Sequence, residues 1–368
     1  MKIKIKLLAI TQVALISIGA GYSNFGSASC TANTSPTADC SNLTVNASTT
    51  SVTNNYSITS TGNGGVTVTG AGVVLDTFTN NGTVNAGSAY AMDVQSGAIV
   101  SNLNNVGSIN GGGHNAIYID SSSSGITNLN NSGLIKSDSS IAIQLGGSGA
   151  TIGTFINSGS ILSGTGAYAL LNNGGTIGTI TNLALGAVIG SAHTGFGAGG
   201  AGIDNNGTIA TLNSAQNDLF YRAKLPSNYN VIIFGGATSY GQTYFTSPAN
   251  PTSGPMNFGI YSGSAITANS YVNVLQNLPT TNLGATRTGA YQGLTWTLAR
   301  GTGTDNWDLT FSGTNTAAMS ALNQTTTALQ NAFTLQNTVL VNGFTYDCPV
   351  FDKNNVCVSV GARSTAVN

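Results

Sequence analysis

Few residues in this chain of 368 could do acid–base chemistry, because only 6% are charged and all eleven acids are aspartate. Polysaccharide-cleaving enzymes use two carboxylates that converge on the bond to be cleaved. Asp93 and Asp120 come nearest to that arrangement, since both fall in alternating strands of an internal repeat. The positions equivalent to Asp93 in the next three repeats are Tyr118, Gln144 and Leu171, which is not an acidic cluster. The sequence therefore favours a chain without a catalytic site.

Metal and cofactor sites are also not predicted. His114 and His193 occupy different positions in the repeat, which favours exposed turn residues over metal ligands or a catalytic triad. A G-x-G-x-x-G pattern at 197–202 matches a dinucleotide-binding loop, but that motif needs a strand before it, a helix after it and an acid further on. Lys224 stands near the position where the acid would be required. We expect a loop that leaves the repeat.

The N-terminus has the order of a secretory signal peptide. Three lysines precede an apolar stretch from Leu7 to about Ala20, and small residues follow at 26–29. The stretch is too short to span a membrane. We expect residues 1–29 to be removed on export. The mature chain would then carry 7 basic residues against 11 acids, a net charge of −4, with no basic patch for nucleic acid.

The four cysteines form two couples that are close in sequence, Cys30 with Cys40 and Cys348 with Cys357. Four cysteines allow three pairings, and in an exported protein the two local disulfides are the economical choice. A zinc site at Cys348 and Cys357 would need two further ligands, and no histidine lies nearby.

Composition favours a β protein rich in turns. Gly occupies 49 positions and Asn 43, whereas Glu is absent. A chain so poor in Glu, Lys and Arg lacks the residues that usually cover helices. A hydrophobic fraction of 40% with low net charge can bury a core, which disfavours disorder.

An internal repeat with a period near 25 residues organises the first half of the chain. Apolar residues stand two and five positions before each recurrent Asn from Asn80 to Asn182, and in most repeats Gly stands two positions after it. Each repeat holds three short runs rich in Val, Ile and Thr, which predict strands separated by turns. The recurrent residues are Asn54, Asn80, Asn105, Asn131, Asn157, Asn182 and Asn205.

Such a repeat predicts one coil of a solenoid. The predicted fold class is all-β: a right-handed parallel β-helix with about 25 residues per coil over residues 30–213. We expect the recurrent Asn residues to stack into a ladder of amide hydrogen bonds. We expect Gly and Asn at the corners to supply the left-handed backbone conformations of tight turns.

The pattern changes after residue 213. The period is lost while short apolar runs remain, so residues 214–313 are predicted to form a β-rich cap, with Trp296 and Trp307 as core residues. A β-helix needs such a cap because its open end exposes backbone and core. Residues 314–342 predict one helix with a polar face, and residues 343–368 begin a strand pattern that alternates apolar and polar residues.

This order of segments resembles that of the bacterial autotransporters, the type V secretion system. The repeats NNGTV, NVGSI, NSGLI and NSGSI, the cap, the helix and YDCPVFDKNNVCVSVGAR at 346–363 carry the resemblance, which covers nearly the whole chain. The resemblance implies a passenger displayed outside a Gram-negative cell and exported through an outer-membrane barrel with the helix in its lumen. Residues 343–368 would hold the first strand of that barrel, which we expect to be truncated. The cap would have an autochaperone role.

We therefore expect a surface-displayed adhesin, self-association module or scaffold. Its long uncharged flank of Ser, Thr and Asn offers hydrogen bonds to glycans or to another copy of the chain. The expected partners are the outer membrane through the barrel, and glycans, a host or neighbouring cell, or the chain itself. The alternative is a polysaccharide-cleaving hydrolase or lyase on the same β-helix, with its site in a long loop such as 190–202.

Overall fold

The computed structural model describes residues 28–62, 64–164, 168–183, 188–191, 202–236, 238–251, 254–313, 324–333 and 353–354. Several predicted features lie outside these residues: nearly all of the signal peptide, His193, most of the 190–202 loop, the second cysteine couple (Cys348 and Cys357) and the barrel strand.

The described chain is all-β and forms a parallel β-helix of about 8 turns with roughly 26 residues per coil, which confirms that part of the prediction. Its largest sheet has thirteen strands. In spatial order they are β1 (Leu43–Val45), β4 (Val66–Thr69), β7 (Met92–Gln95), β10 (Ile117–Ile119), β13 (Ile143–Leu145), β16 (Leu170–Asn172), β19 (Ile203–Asn205), β21 (Leu219–Lys224), β23 (Thr243–Ala249), β25 (Ser270–Gln276), β28 (Trp307–Ser312), β27 (Leu294–Arg300) and β26 (Thr288–Tyr291).

Two further sheets complete the coils. The nine-stranded sheet holds β2 (Thr49–Asn54), β5 (Val74–Asn80), β8 (Ile99–Asn105), β11 (Gly125–Asn131), β14 (Thr151–Asn157), β17 (Thr176–Asn182), β20 (Thr208–Ser214), β22 (Asn228–Val231) and β24 (Asn257–Ile260). The six-stranded sheet holds β3 (Ser57–Ser60), β6 (Thr83–Ala86), β9 (Ser108–Gly111), β12 (Leu134–Ser137), β15 (Ser160–Ser163) and β18 (Val188–Ser191).

Stacked apolar side chains fill the interior. Alternation along each strand turns every second residue inward, so equivalent residues of successive coils meet, as in the column of Phe78, Leu103, Leu129 and Phe155. All four are fully buried. Burial of each such side chain contributes about 1.5–3 kcal/mol. The core is therefore a continuous column shared by neighbouring coils.

Glycine is required at one corner because the backbones of successive coils approach closely. A Cβ placed on Gly82, Gly107, Gly133 or Gly159 would lie 2.0–2.1 Å from a carbonyl oxygen of the preceding coil. None of these glycines, and none of the recurrent Asn residues, has a positive φ. The expectation that they supply left-handed conformations is therefore wrong at this corner, where the glycines are needed because no side chain fits between the coils. It holds at the corner between the thirteen-stranded and nine-stranded sheets, where Gly70, Gly97 and Gly174 have positive φ.

The N-terminal end of the β-helix is covered by residues 28–42. The predicted disulfide between Cys30 and Cys40 is present and closes a loop across ten residues of sequence. Cys30 donates its backbone N–H to Ser41, and Cys40 donates to Ser57 of the first coil. This segment pairs backbone groups that the first coil would otherwise leave at an open edge.

Parallel stacking continues beyond the boundary predicted at residue 213. Strand β20 crosses that boundary, and β22, β24, β23 and β25 extend the two larger sheets in parallel. The period is lost from the sequence for a physical reason: the six-stranded sheet ends at β18 and the later coils vary in length, as Thr211 pairs with Asn228 and Asn228 with Asn257.

Antiparallel strands β26, β27 and β28 then follow β25 in the largest sheet. They bury Trp296 and Trp307, as predicted for the cap. Beyond the cap, residues 324–333 form a helix whose residues are all exposed, including Leu329 and Phe333. No helix among the described residues is long and apolar enough to cross a membrane.

Candidate functional site

A ladder of buried Asn side chains runs along the corner between the nine-stranded and six-stranded sheets. Each side-chain amide donates a 2.8 Å hydrogen bond to the Oδ1 of the next Asn, in the order Asn54, Asn80, Asn105, Asn131, Asn157, Asn182. The same amides approach backbone carbonyls of the six-stranded sheet, such as that of Leu134 at 3.1 Å from Asn105. The ladder therefore satisfies buried polar groups and joins two sheets.

The last predicted member, Asn205, lies elsewhere. The ladder ends where Asn182 donates to Oε1 of Gln216, whose amide also bonds the backbone of Ile189. Asn205 instead accepts a hydrogen bond from Asn172 in the thirteen-stranded sheet. The prediction for Asn205 is wrong because this coil is longer than the others, so that 34 residues separate Asn182 from its ladder partner.

The outer surface of the nine-stranded sheet, here named the polar face, carries two columns of mainly Ser, Thr and Asn side chains. The first column is Ser51, Thr77, Asn102, Asn128, Thr154, Thr179, Thr211, Asn228 and Asn257. The second is Thr53, Thr79, Asn104, Asn130, Ile156, Thr181, Asn213, Asn230 and Gly259. Thr181 and Asn213 are buried, so the second column is interrupted at β17 and β20. Neither column contains a charged residue.

Hydrogen bonds along the axis hold the amides of the polar face in place. Asn128 donates to Asn102 at 3.1 Å, and Asn130 donates to Asn104 at 2.9 Å. Since an amide has two N–H groups, these bonds leave a second donor on each residue. Beside Asn104 and Asn130 runs a shallow groove of about 210 Å³, which reaches the exposed Val106. The polar face is thus a fixed, uncharged array of donors and acceptors.

A second cluster lies on the outer surface of the thirteen-stranded sheet, where Asp93 of β7 and Asp120, which directly follows β10, are near enough for the charge of Asp120 to affect Asp93. Tyr118 pairs with Asp93 in register, and its ring stacks on Tyr90 with centroids 4.5 Å apart. The ring of His114 meets Tyr90 edge-on at 5.5 Å. The two predicted carboxylates are therefore neighbours, in an aromatic setting that the sequence did not indicate.

The surroundings of the two carboxylates move their pKa values apart. Burial, and then the negative charge of Asp120, raise the pKa of Asp93 to about 6. One oxygen of Asp93 is buried without a hydrogen-bond partner in the described structure. Burial also opposes ionisation of Asp120, but hydrogen bonds from Ser124 and from the backbone of Ser96 and Ser122 lower its pKa overall. A catalytic acid–base pair requires two groups with different pKa values, so that one is protonated while the other is ionised.

A third cluster, which the sequence analysis missed, joins Tyr168, Asp204 and Arg222. Arg222 lies 3.7 Å from Asp204 and donates a hydrogen bond to the Tyr168 hydroxyl. Asp204 is 6% exposed, and its burial raises its pKa although Arg222 opposes that shift. The register of the thirteen-stranded sheet brings Asp204 beside Arg222. That register could not be read from the sequence because the intervening coil is irregular.

No group of three or more His, Cys, Asp or Glu in the described part of the chain is placed to hold a metal ion. The chain matches no protein-family model, no curated protein and no solved structure. The features of the chain that bear on function are its fold, the polar face and the two charged clusters.

Proposed function

We propose that this protein is an autotransporter-type passenger, displayed on the surface of a Gram-negative cell, that acts as an adhesin, self-association module or scaffold. The signal-peptide pattern of residues 1–29 supports export, and the Cys30–Cys40 disulfide is consistent with an oxidising compartment. The parallel β-helix suits display, because stacked coils make a stiff rod that carries a surface away from the cell.

The polar face is the observation that carries this proposal. Strands stack about 4.8 Å apart, so nine strands present hydrogen-bonding groups along about 40 Å of the rod. The groups are fixed by bonds between coils, which reduces the entropy lost when a partner binds. An extended surface of this kind suits adhesion better than catalysis, which needs titratable or metal-bound groups.

In the same proposal the antiparallel cap has a role in export. Strands β26–β28 close the C-terminal end of the core around Trp296 and Trp307. The parallel coils can then stack on the cap while this end of the core stays covered. The cap would fold first outside the cell and template the coils, with the barrel of the same polypeptide as the export route.

Surface display and adhesion can be tested together in the source bacterium. We expect antibodies against the polar face to label intact cells, and we expect deletion of the gene to reduce cell aggregation or attachment. Complementation with the full gene should restore both. Labelling that requires permeabilised cells would overturn the localisation, and unchanged attachment in the deletion strain would overturn the adhesive function.

A polysaccharide-cleaving enzyme is the second candidate, favoured by the Asp93–Asp120 pair. With its raised pKa, Asp93 would donate a proton to the glycosidic oxygen, and Asp120 would act as the ionised base or nucleophile. If the candidate is right, Asp93→Asn and Asp120→Asn should each abolish release of reducing ends from polysaccharide. The matched control is Asp138→Asn, because Asp138 is exposed and bonds Lys136 on a different sheet. No release by the unaltered protein would exclude this candidate.

A further inference from the structure

We infer that the polar face binds a neutral, extended polysaccharide that lies along the axis of the β-helix. This inference rests on the proposed adhesive function, and it adds the binding surface and the class of partner.

The absence of basic residues points to a neutral partner. The nine strands of this sheet contain no Lys or Arg and a single Asp, Asp76. An anionic polymer would meet no compensating charge there, and a cationic polymer would meet only Asp76. Sugar hydroxyls both donate and accept hydrogen bonds, as do the Thr hydroxyls and Asn amides of the polar face.

The periodicity of the face points to a polymer and not to a short sugar. Equivalent side chains repeat about every 4.8 Å along the axis, and the two columns stand about 6.7 Å apart along each strand. Neither column contains an aromatic ring on which a single sugar could stack. Each hydrogen bond to a sugar replaces one to water, so one coil adds little affinity. A polymer that spans several coils accumulates these small contributions.

The rigidity of the face supports the same conclusion. Axial bonds join Asn102 to Asn128, Asn104 to Asn130 and Asn228 to Asn257, so these side chains are already ordered without a partner. The side chains of the polar face therefore lose conformational entropy when the protein folds, before a partner binds. A partner with regularly repeated hydroxyls could then bind without reorganising the surface.

The test uses the purified full chain with insoluble cellulose and chitin as neutral probes and alginate beads as the anionic probe. Thr154→Lys/Thr211→Lys places two charges on the polar face, two coils apart, at half-buried outward positions. Ser108→Lys/Ser160→Lys is the matched control, with the same spacing and similar burial on the six-stranded sheet. Thermal melts establish that both variants fold.

We expect the first variant to lose at least tenfold in affinity for cellulose or chitin, and the control to stay within twofold of the unaltered protein. Soluble hydroxyethyl cellulose should compete for binding, whereas cellobiose should not. Equal losses in both variants, preferential binding to alginate or competition by cellobiose would each overturn the inference. Self-association that the first variant abolishes, with no binding to either neutral polymer, would assign the face to a second copy instead.

Failure of this inference can be distinguished from failure of the proposed function. Lack of polysaccharide binding with intact attachment of cells would reject the polar face as a glycan site and leave the adhesin standing. Retained binding by the purified protein without surface labelling of cells would reject display and leave the binding site standing.

Discussion

Asn131 donates its side-chain amide to Oδ1 of Asn157 at 2.8 Å, and the same nitrogen lies 3.3 Å from the backbone oxygen of Ser160. Asn131 also accepts a hydrogen bond from Asn105. The side chain of Asn131 therefore satisfies the amide donor of Asn105 and the Oδ1 acceptor of Asn157. Because all three Asn residues are buried, loss of one would leave polar groups without water or a partner.

We expect Asn131→Leu to lower the free energy of unfolding by about 2–5 kcal/mol, because it leaves a donor of Asn105 and an acceptor of Asn157 unsatisfied. Urea unfolding followed by circular dichroism measures the change. Asn104→Leu is the control, because Asn104 belongs to an outward column where water can replace the lost bond. Its effect should stay below about 1 kcal/mol. Equal effects of the two changes would contradict a structural role for the buried ladder.

Gly133 lies at a corner where the backbones of neighbouring coils approach closely. A Cβ at Gly133 would lie 2.1 Å from the carbonyl oxygen of Gly107, whereas a Cβ at Gly62 would meet nothing within 4 Å. We expect Gly133→Ala to destabilise the protein by about 1–3 kcal/mol or more, because backbone in the adjacent coil must move. Gly62→Ala should be neutral or slightly stabilising, through lower entropy of the unfolded chain. Thermal melts of the two single variants compare them directly.

The regular coils were predictable because one physical requirement recurs at a fixed spacing. Stacked strands bury Phe78 against Leu103 and Leu103 against Leu129, so the apolar pattern and the Asn ladder appear in the sequence with the same period. The period alone did not reveal why glycine occupies the corner. Close backbone approach and a left-handed turn both favour glycine, and only the three-dimensional structure distinguishes the two causes.

Irregular coils account for what could not be predicted. Asn205 lies 23 residues after Asn182, close to the repeat length, but the chain takes 34 residues to reach the true ladder partner, Gln216. The contact between Asp204 and Arg222 depends on the same irregularity. The uncharged flank was predicted from composition, whereas its concentration on one sheet depends on the register of the strands.

The N-terminal disulfide should stabilise the first coil. Cys30 and Cys40 close a loop of ten residues, for which the loss of chain entropy in the unfolded state corresponds to about 2.7 kcal/mol. We expect Cys30→Ala/Cys40→Ala to lower the melting temperature and to raise amide hydrogen exchange first in β1 and β3. The outer-column change Thr79→Ser should alter neither. Uniform exchange along the rod would show that the loop does not cap this end.

The raised pKa of Asp93 determines the direction in which the stability of the protein changes with pH. The unfolded carboxyl titrates near 3.9, and burial together with Asp120 raises its folded pKa to about 6. The folded protein therefore binds more protons in this interval, so the contribution of Asp93 to stability falls as the pH rises from about 4 to about 6. Asp93→Asn should remove that fall and stabilise the protein at pH 7 by about 1–2 kcal/mol, after allowance for solvent screening.

The control for this titration is Asp138, whose pKa is lowered by the hydrogen bond that it accepts from Lys136. Its contribution has the opposite sign, since it is present at neutral pH and is lost as the pH falls below the ordinary range of an aspartate. Asp138→Asn should therefore slightly lower stability at pH 7 and leave it unchanged at low pH. Urea unfolding of both variants and of the unaltered protein between about pH 2 and pH 7.5 separates the two signs. A pH dependence of Asp93→Asn identical to that of the unaltered chain would show that Asp93 is not the group that titrates.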